Sequence, residues 1–358
     1  MFISVLQPYI DSHAVVGAVT AVASRERVLD VGAIGFADIA AGKPMAADAV
    51  FWIASMSKPV TGTALMMLVE SGDVRLDDPV EKYLPEFTNI WLAVERDDAH
   101  MLLRRPRRAI TVRDTLCHLS GMGFCTHVEA PTLDRLTLDT AVRSYAMTPL
   151  NNEPGTKEEC SNAGINTAGR IIEVVSGMPY ATFIDQRILH PLGMRDTTFW
   201  PTPDHLNRLA TTYKPNEART DIEPTPITLL SYPLDDPART PMPAGGLFST
   251  AADVAKFCRA ILRGGELDGR RIMKESTVRE MVTKQTHAYP NVERVWALSW
   301  WSDGANAFHG GALATNMDID LTTGMVYVFL VQHAGFLHDG GTAWTTFRKE
   351  AEATFAKR

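Results

Sequence analysis

The sequence predicts an α/β protein of the α+β sandwich kind: one sheet assembled from N- and C-terminal segments, flanked by helices, with a mainly helical domain inserted between them. Three observations carry this. Strand-like apolar runs are found at the two ends of the chain, the middle alternates proline-punctuated loops with short helices, and 358 residues exceed the roughly 150 of a single average domain. The sheet domain is expected over residues 1–75 and 241–358 and the helical domain over 76–240. A cleft between two such lobes is a favoured ligand site.

The elements follow in order. Val15 to Ala23 is rich in Val and Ala, Arg25-Glu26-Arg27 makes a polar turn, and Val28 to Ile34 is apolar again, which predicts a hairpin. Ala49 to Ile53 reads as a third strand feeding a buried helix over Val60–Glu70, apolar nearly all round, with Ser71-Gly72 as its C-cap. Thr111-Val112-Arg113-Asp114 has capping-box form, and its helix is expected to close at Ser120-Gly121. Asn162 is placed to cap a helix through Val175 to Gly177, and Thr250-Ala251-Ala252-Asp253 opens another that Gly264-Gly265 ends. Val295 to Trp301, Asn316 to Leu321 and Met325 to Gln332 are strand-like, the last two joined by Thr322-Thr323-Gly324. Thr342 to Ala356 is an amphipathic terminal helix. There is no internal repeat.

With 45% hydrophobic and 22% charged residues the composition is that of a soluble globular protein. A formal net charge of −7 supplies no field that attracts phosphate backbones, so nucleic acid is not expected as a partner. The basic run Arg104-Arg105-Pro106-Arg107-Arg108 reads as a solvated loop. Cys117, Cys125, Cys160 and Cys258 form neither a disulfide framework nor a metal-ligand spacing, so free thiols and no metal are expected. No apolar run approaches a membrane span, and Met1 to Ser12 lacks the basic start of a signal peptide. The chain is therefore expected to be soluble and cytoplasmic as written, or periplasmic or secreted if a leader has been trimmed.

No G-x-S-x-G, H-E-x-x-H, G-x-G-x-x-G or P-loop pattern occurs, which removes support for a dinucleotide, a P-loop nucleotide or a zincin metal. No cofactor is expected. Ser55-Met56-Ser57-Lys58-Pro59 does occur, at the predicted strand-to-helix junction. Residues three apart share a helix face, so Lys58 lies beside Ser55. The positive end of the helix dipole favours the neutral form of Lys58, and a neutral lysine can take the serine proton.

Together with that tetrad, Ile110-Thr111-Val112-Arg113-Asp114 with His118-Leu119-Ser120-Gly121, Pro154-Gly155-Thr156 followed by Ser161-Asn162-Ala163-Gly164, Ala244-Gly245-Gly246-Leu247-Phe248-Ser249-Thr250 and His309-Gly310-Gly311 stand in a familiar order. In these motifs the chain resembles the serine β-lactamase and penicillin-binding-protein superfamily over nearly its whole length, in particular class C β-lactamases and family VIII carboxylesterases. The resemblance implies a β-lactamase/transpeptidase-like fold with an antiparallel sheet and Ser55 as nucleophile. It implies that the Asn162 amide helps hold Lys58 and the acyl group, that His309 binds or orients the leaving group, and that Gly310 and Gly311 let the backbone approach the acyl group. The N–H of Ala312 would join that of Ser55 as an oxyanion hole.

In one place the sequence departs from the pattern. The family's second motif is Tyr-x-Asn, whereas this chain has Cys160-Ser161-Asn162. A thiol sulfur in the tyrosine slot stops roughly 3–4 Å short of where the phenol oxygen would reach. Three readings are open: a water makes up the missing volume, the residue has been altered to weaken turnover, or Cys160 is a small buried hydrophobe in a protein that no longer catalyses. His118 reads as a cap or packing residue, and Trp300, Trp301 and Gly245-Gly246 read as core and turn. The function expected is a serine hydrolase that forms an acyl-enzyme on Ser55 with small-molecule esters, short-chain esters first, or β-lactams. The alternatives are a D,D-peptidase or acyltransferase, or a penicillin-recognising binding protein impaired by Cys160. Oligomeric state is left open.

Overall fold

The computed structural model describes residues 2–356. Its centre is a seven-stranded antiparallel sheet whose strands are β1 (Gly17–Ser24), β2 (Val28–Asp38), β3 (Lys43–Pro44), β4 (Trp301–Ser302), β5 (Asn306–Gly310), β6 (Asn316–Asp320) and β7 (Met325–Leu330). The spatial order β4-β5-β6-β7-β1-β2-β3 joins the two ends of the chain through the pair β1–β7, in register Val19↔Leu330 to Ser24↔Met325. The N-terminal hairpin and the hairpin across Thr322-Thr323-Gly324 form as the sequence predicts.

Side-chain alternation explains why β1 and β7 are apolar at nearly every position. Ala18, Val22, Tyr327 and Phe329 face a core shared with Ile3, Leu6 and the terminal helix, while Val19, Ala21, Val326 and Val328 face the larger core on the other side. Both faces are covered, so a polar residue on either would be buried without water.

The helices that matter below are α1 (Ser57–Ser71), α2 (Val112–Leu116), α3 (Leu138–Met147), α4 (Asn162–Ser176), α5 (Ala251–Leu262) and the terminal α6 (Ala343–Phe355). Helix α1 is buried on nearly all sides and ends at Gly72, whose φ of 87° suits a glycine cap. Thr111 caps α2 in a complete capping box with Asp114, and Thr250 caps α5 through its bond from the Asp253 N–H.

Several expectations are corrected. The strand expected over Ala49–Ile53 is reduced to Phe51–Trp52, which pairs with Phe248–Ser249 and not with the central sheet. Helix α2 stops at Leu116, because His118 takes a left-handed φ of 58° that breaks the helical path before Ser120-Gly121. Most of Val295–Trp301 is irregular, with Ser299 at φ 65°, and only Trp301 joins the sheet. The middle of the chain carries two short hairpins that the proline-rich pattern hid, Leu92–Arg96 with Met101–Arg104 and Tyr213–Pro215 with Ile222–Pro224.

The basic run is not freely solvated either. Arg104 pairs with Glu153 at 2.5 Å, the Arg105 guanidinium lies 3.6 Å from the centre of the Trp91 ring, and Arg108 pairs with Asp114 at 2.5 Å. All four cysteines are free thiols, Cys117 and Cys258 buried, Cys125 and Cys160 exposed. Among the described residues no helix is long and apolar enough to cross a membrane.

Candidate active site

After Phe51–Trp52 the chain reverses at Ala54, which takes a left-handed φ of 46°, and enters a single 3₁₀ turn, Ala54–Met56, that runs directly into α1. A residue with a β-carbon is strained in that region, so the turn is held by its surroundings. Ser57 supplies part of the hold. Its hydroxyl donates to the Ala54 carbonyl at 2.7 Å and accepts from the Leu247 N–H at 3.2 Å. Ser55 is left half-buried at the turn, one helical turn before Lys58.

Lys58 is fully buried, and its Nζ donates to Ser55 Oγ at 2.8 Å and to the Ala244 carbonyl at 2.9 Å. Burial pulls its pKa down to about 8, against a smaller opposing influence of Cys160. An amine with that pKa is substantially neutral in mildly alkaline solution, and it already touches the hydroxyl whose proton it would take.

Cys160 stands in the extended segment ahead of α4, with an exposed side chain. His118 holds that segment from both sides: its carbonyl accepts from Glu159 N–H at 2.9 Å and its Nδ1 from Ser161 N–H at 3.1 Å. The Cys160 thiol is near enough to Lys58 to influence its charge, yet the second acceptor of Lys58 is the Ala244 carbonyl and not the sulfur. Asn162 is buried in the first turn of α4. The cap of α4 is Ser161, not Asn162: its Oγ accepts from the Gly164 N–H at 2.9 Å. The Oδ1 of Asn162 is buried without a partner, so a bond to Lys58 is not part of this arrangement.

His309 lies on β5, whose chain continues through Gly310 and Gly311 to the exposed Ala312. Gly311 is the closest approach of this strand to the serine turn. A β-carbon there would sit 2.1 Å from Thr315 Oγ1 and 2.5 Å from the Ile53 carbonyl oxygen, so only glycine fits. The Nδ1 of His309 donates to the Gly310 carbonyl at 2.7 Å, which leaves Nε2 as the unprotonated nitrogen, buried and unpartnered. Burial first, and then the charge of Lys58, push the imidazole down to about 3, so it is neutral at ordinary pH.

His118 has the opposite tautomer. Its Nδ1 accepts, so its Nε2 carries the proton, and that atom too is buried and unpartnered. Burial, Lys58 and His309 together hold it well below the usual histidine range. Trp296 sits beside both rings, with centroid distances of 4.4 Å to His118 and 5.7 Å to His309.

Of the residues the sequence singles out, the fold brings Ser55, Lys58, Cys160 and His309 together, with Asn162 in the first turn of the helix after Cys160. Sequence reasoning missed the Ala244 carbonyl, Trp296, and the degree to which His118 is part of the site. A main-chain acceptor has no sequence signal. Gly245-Gly246 was the available clue, since a β-carbon at Gly246 would meet Met242 backbone atoms at 2.9 Å and thus marks a tight turn next to Ala244. Trp300, by contrast, is a core residue stacked on Phe257 at 6.0 Å, as expected. Among the described residues no group of three or more His, Cys, Asp or Glu is placed to hold a metal ion.

The chain was compared with known proteins. It is 38% identical over 285 residues to protein Rv1367c of Mycobacterium tuberculosis, an alignment covering 76% of this chain and 69% of the relative. It is 32% identical over 276 residues to esterase EstB of Burkholderia gladioli, covering 69% of this chain and 65% of that one. These alignments thus span about two thirds of the relatives' own length. Among solved structures, EstCE1, a hydrolase with promiscuous acyltransferase activity, superposes with a TM-score of 0.80 at 25% identity over 98% of this chain and 97% of its own. The simvastatin synthase LovD6 mutant of Aspergillus terreus gives 0.81 at 21% identity over 100% and 95%, a likeness of fold. The β-lactamase family model matches residues 2–351, essentially the whole described chain, and with the fold and relatives above it establishes that the chain belongs to the β-lactamase family.

Proposed function

We propose that this protein is a serine hydrolase in which Ser55 attacks a carbonyl carbon, Lys58 takes the hydroxyl proton, and the acyl-Ser55 ester is then hydrolysed by water. The observation that carries this reading is the 2.8 Å bond between a fully buried lysine of lowered pKa and Ser55 at a strained turn. In the attack, the Oγ–C bond forms as the carbonyl π pair moves to oxygen. The backbone N–H groups of Ser55 and Ala312 receive that oxyanion, with Gly310 and Gly311 allowing the approach. Collapse expels the leaving group, which collects a proton from the Lys58 ammonium. Asn162, with its free Oδ1, faces the acyl group, and His309 offers an unprotonated Nε2 to the leaving group's hydrogen-bond donors.

Esters are the substrate class we favour over β-lactams. Where a lysine would provide a permanent cation for the β-lactam carboxylate, His309 is neutral. The EstB relative and the EstCE1 neighbour support the same side. The test is a parallel hydrolysis screen of short p-nitrophenyl esters and the chromogenic β-lactam nitrocefin, on the protein and on Cys160→Tyr. Ester turnover exceeding nitrocefin turnover in either protein is expected. Stoichiometric acylation without turnover in the protein, relieved in Cys160→Tyr, would instead favour a binding protein impaired by Cys160.

A further inference from the structure

Behind the site, α3 and α4 carry a buried polar chain that the catalytic reading does not use. Glu129 is 3% exposed and no Lys, Arg or His pairs with it among the described residues. Its Oε1 accepts from Tyr145 Oη at 2.6 Å, and its Oε2 from the Thr126 N–H at 2.7 Å. Tyr145 Oη in turn accepts from Asn166 Nδ2 at 2.9 Å, and Asn166 Oδ1 accepts from the Ala244 N–H at 3.0 Å. Ala244 is the residue whose carbonyl receives Lys58.

The polarity of this chain is fixed at its Ala244 end. The Ala244 backbone N–H can only donate, so Asn166 Oδ1 accepts from it, the Asn166 NH₂ donates to Tyr145 Oη, and the tyrosine hydroxyl is left to donate to Glu129. From the opposite side, Thr61 Oγ1 on α1 donates to the neighbouring Pro243 carbonyl at 2.7 Å, and Trp52 Nε1 donates to the Gly245 carbonyl at 2.7 Å. The peptide that presents the Ala244 oxygen is thereby held on both flanks. A neutral lysine has two N–H bonds and one lone pair, and accepting the Ser55 proton requires the lone pair to face Oγ. An N–H engaged by the Ala244 oxygen helps impose that orientation.

We propose that Glu129, Tyr145 and Asn166 are positioning residues for acyl transfer, setting the Ala244 carbonyl that orients Lys58 toward Ser55. None of the three touches the reacting atoms, and the proposal rests on the reading of Ser55 and Lys58 given above.

The test compares wild type, Tyr145→Phe and Glu129→Gln, each with and without Lys58→Met. It measures the rate and final stoichiometry of fluorophosphonate labelling at Ser55, and kcat and KM for a short ester. Tyr145→Phe should slow labelling and lower kcat by about tenfold, the scale of one lost hydrogen bond, with KM changed by less than about twofold. Glu129→Gln keeps the shape and should give a smaller loss in the same direction. Final labelling should be complete in both, which separates a mispositioned lysine from a partly unfolded site. In the Lys58→Met background, Tyr145→Phe should add nothing, because the group it positions is gone. Unchanged rates in both single variants, or the same fold-loss with and without Lys58, would overturn the proposal alone. A wild-type protein that takes no label at Ser55 would overturn the nucleophile reading, and this proposal with it.

Discussion

On the proposed mechanism, Cys160 limits the rate of this site. It is exposed, held in place by His118 through its neighbours Glu159 and Ser161, and too short to stand in for a phenol oxygen. Restoring the hydroxyl in Cys160→Tyr should speed short-ester hydrolysis by roughly 10²-fold, the span of a positioned acid–base group, while Cys160→Phe should not. Equal rates in the Tyr and Phe variants would remove the acid–base argument. On the proposed mechanism Lys58 is the proton acceptor, and its ionisation should govern the reaction. Its pKa is lowered to about 8, so kcat/KM should climb about tenfold per pH unit below that value and level off above it. Cys160 is the titratable group that acts on it, and Lys58 in turn acts on His118 and His309. Both imidazoles are held neutral, so no inflection near the usual histidine pKa is expected. A profile already flat below neutrality would contradict the assignment. The contact between Ser55 and Lys58 was legible in the sequence because a tetrad carries it. The Ala244 carbonyl was not, because main-chain acceptors carry no residue identity.

At the scale of elements, the approach of β5 to the serine turn is the feature that assembles the site. Gly311 packs against Thr315 and the Ile53 carbonyl with no space for a side chain, whereas a β-carbon at Gly310 meets Asn316 Oδ1 at 3.2 Å, the end of a flexible side chain. Gly311→Ala should therefore push the turn bearing Ala312 away from Ser55 and cost about 10²-fold in kcat/KM, the lower side of a lost oxyanion donor. Gly310→Ala should cost clearly less, and comparable losses in steady-state assays would contradict this geometry. Caps and glycine stops were readable in the sequence, as Gly72, Thr111 and Thr250 illustrate, since each has a local chemical cause. Asn162 was misread as a cap because Asn and Ser are both good caps and stand adjacent. The choice was made by the Ser161 hydroxyl, which also reaches the Gly123 carbonyl at 2.9 Å. The irregular path of Val295–Trp300 was not readable, because Trp296 packs on His118 and His309 and Trp300 on Phe257 without the segment pairing as a strand.

For the whole molecule, the same burial that keeps the histidines neutral makes the fold sensitive to acid. His333 accepts from the Val16 N–H at 3.0 Å, and its pKa is lowered to about 4, mainly by burial. Above the unfolded histidine value both states are neutral and the full stability is present. Below about pH 6.5 the unfolded chain takes up a proton that the folded one refuses, so stability falls by about 1.4 kcal/mol per pH unit for each such histidine. His309 acts in the same direction down to about 3. In urea unfolding, the stability difference between pH 7 and pH 5 should shrink by about 2 kcal/mol in His333→Gln, and an unchanged difference would refute this cause. The joining of distant chain ends in one sheet was legible because β1 and β7 are apolar at successive positions, the mark of strands covered on both faces. The central claim, that Lys58 makes Ser55 the nucleophile, is tested most directly by peptide mass spectrometry after fluorophosphonate treatment. One adduct per chain on the peptide containing Ser55, absent in Ser55→Ala and formed at least about 10²-fold more slowly in Lys58→Met, is the predicted result. An adduct on another residue, or undiminished labelling of Ser55→Ala, would contradict it.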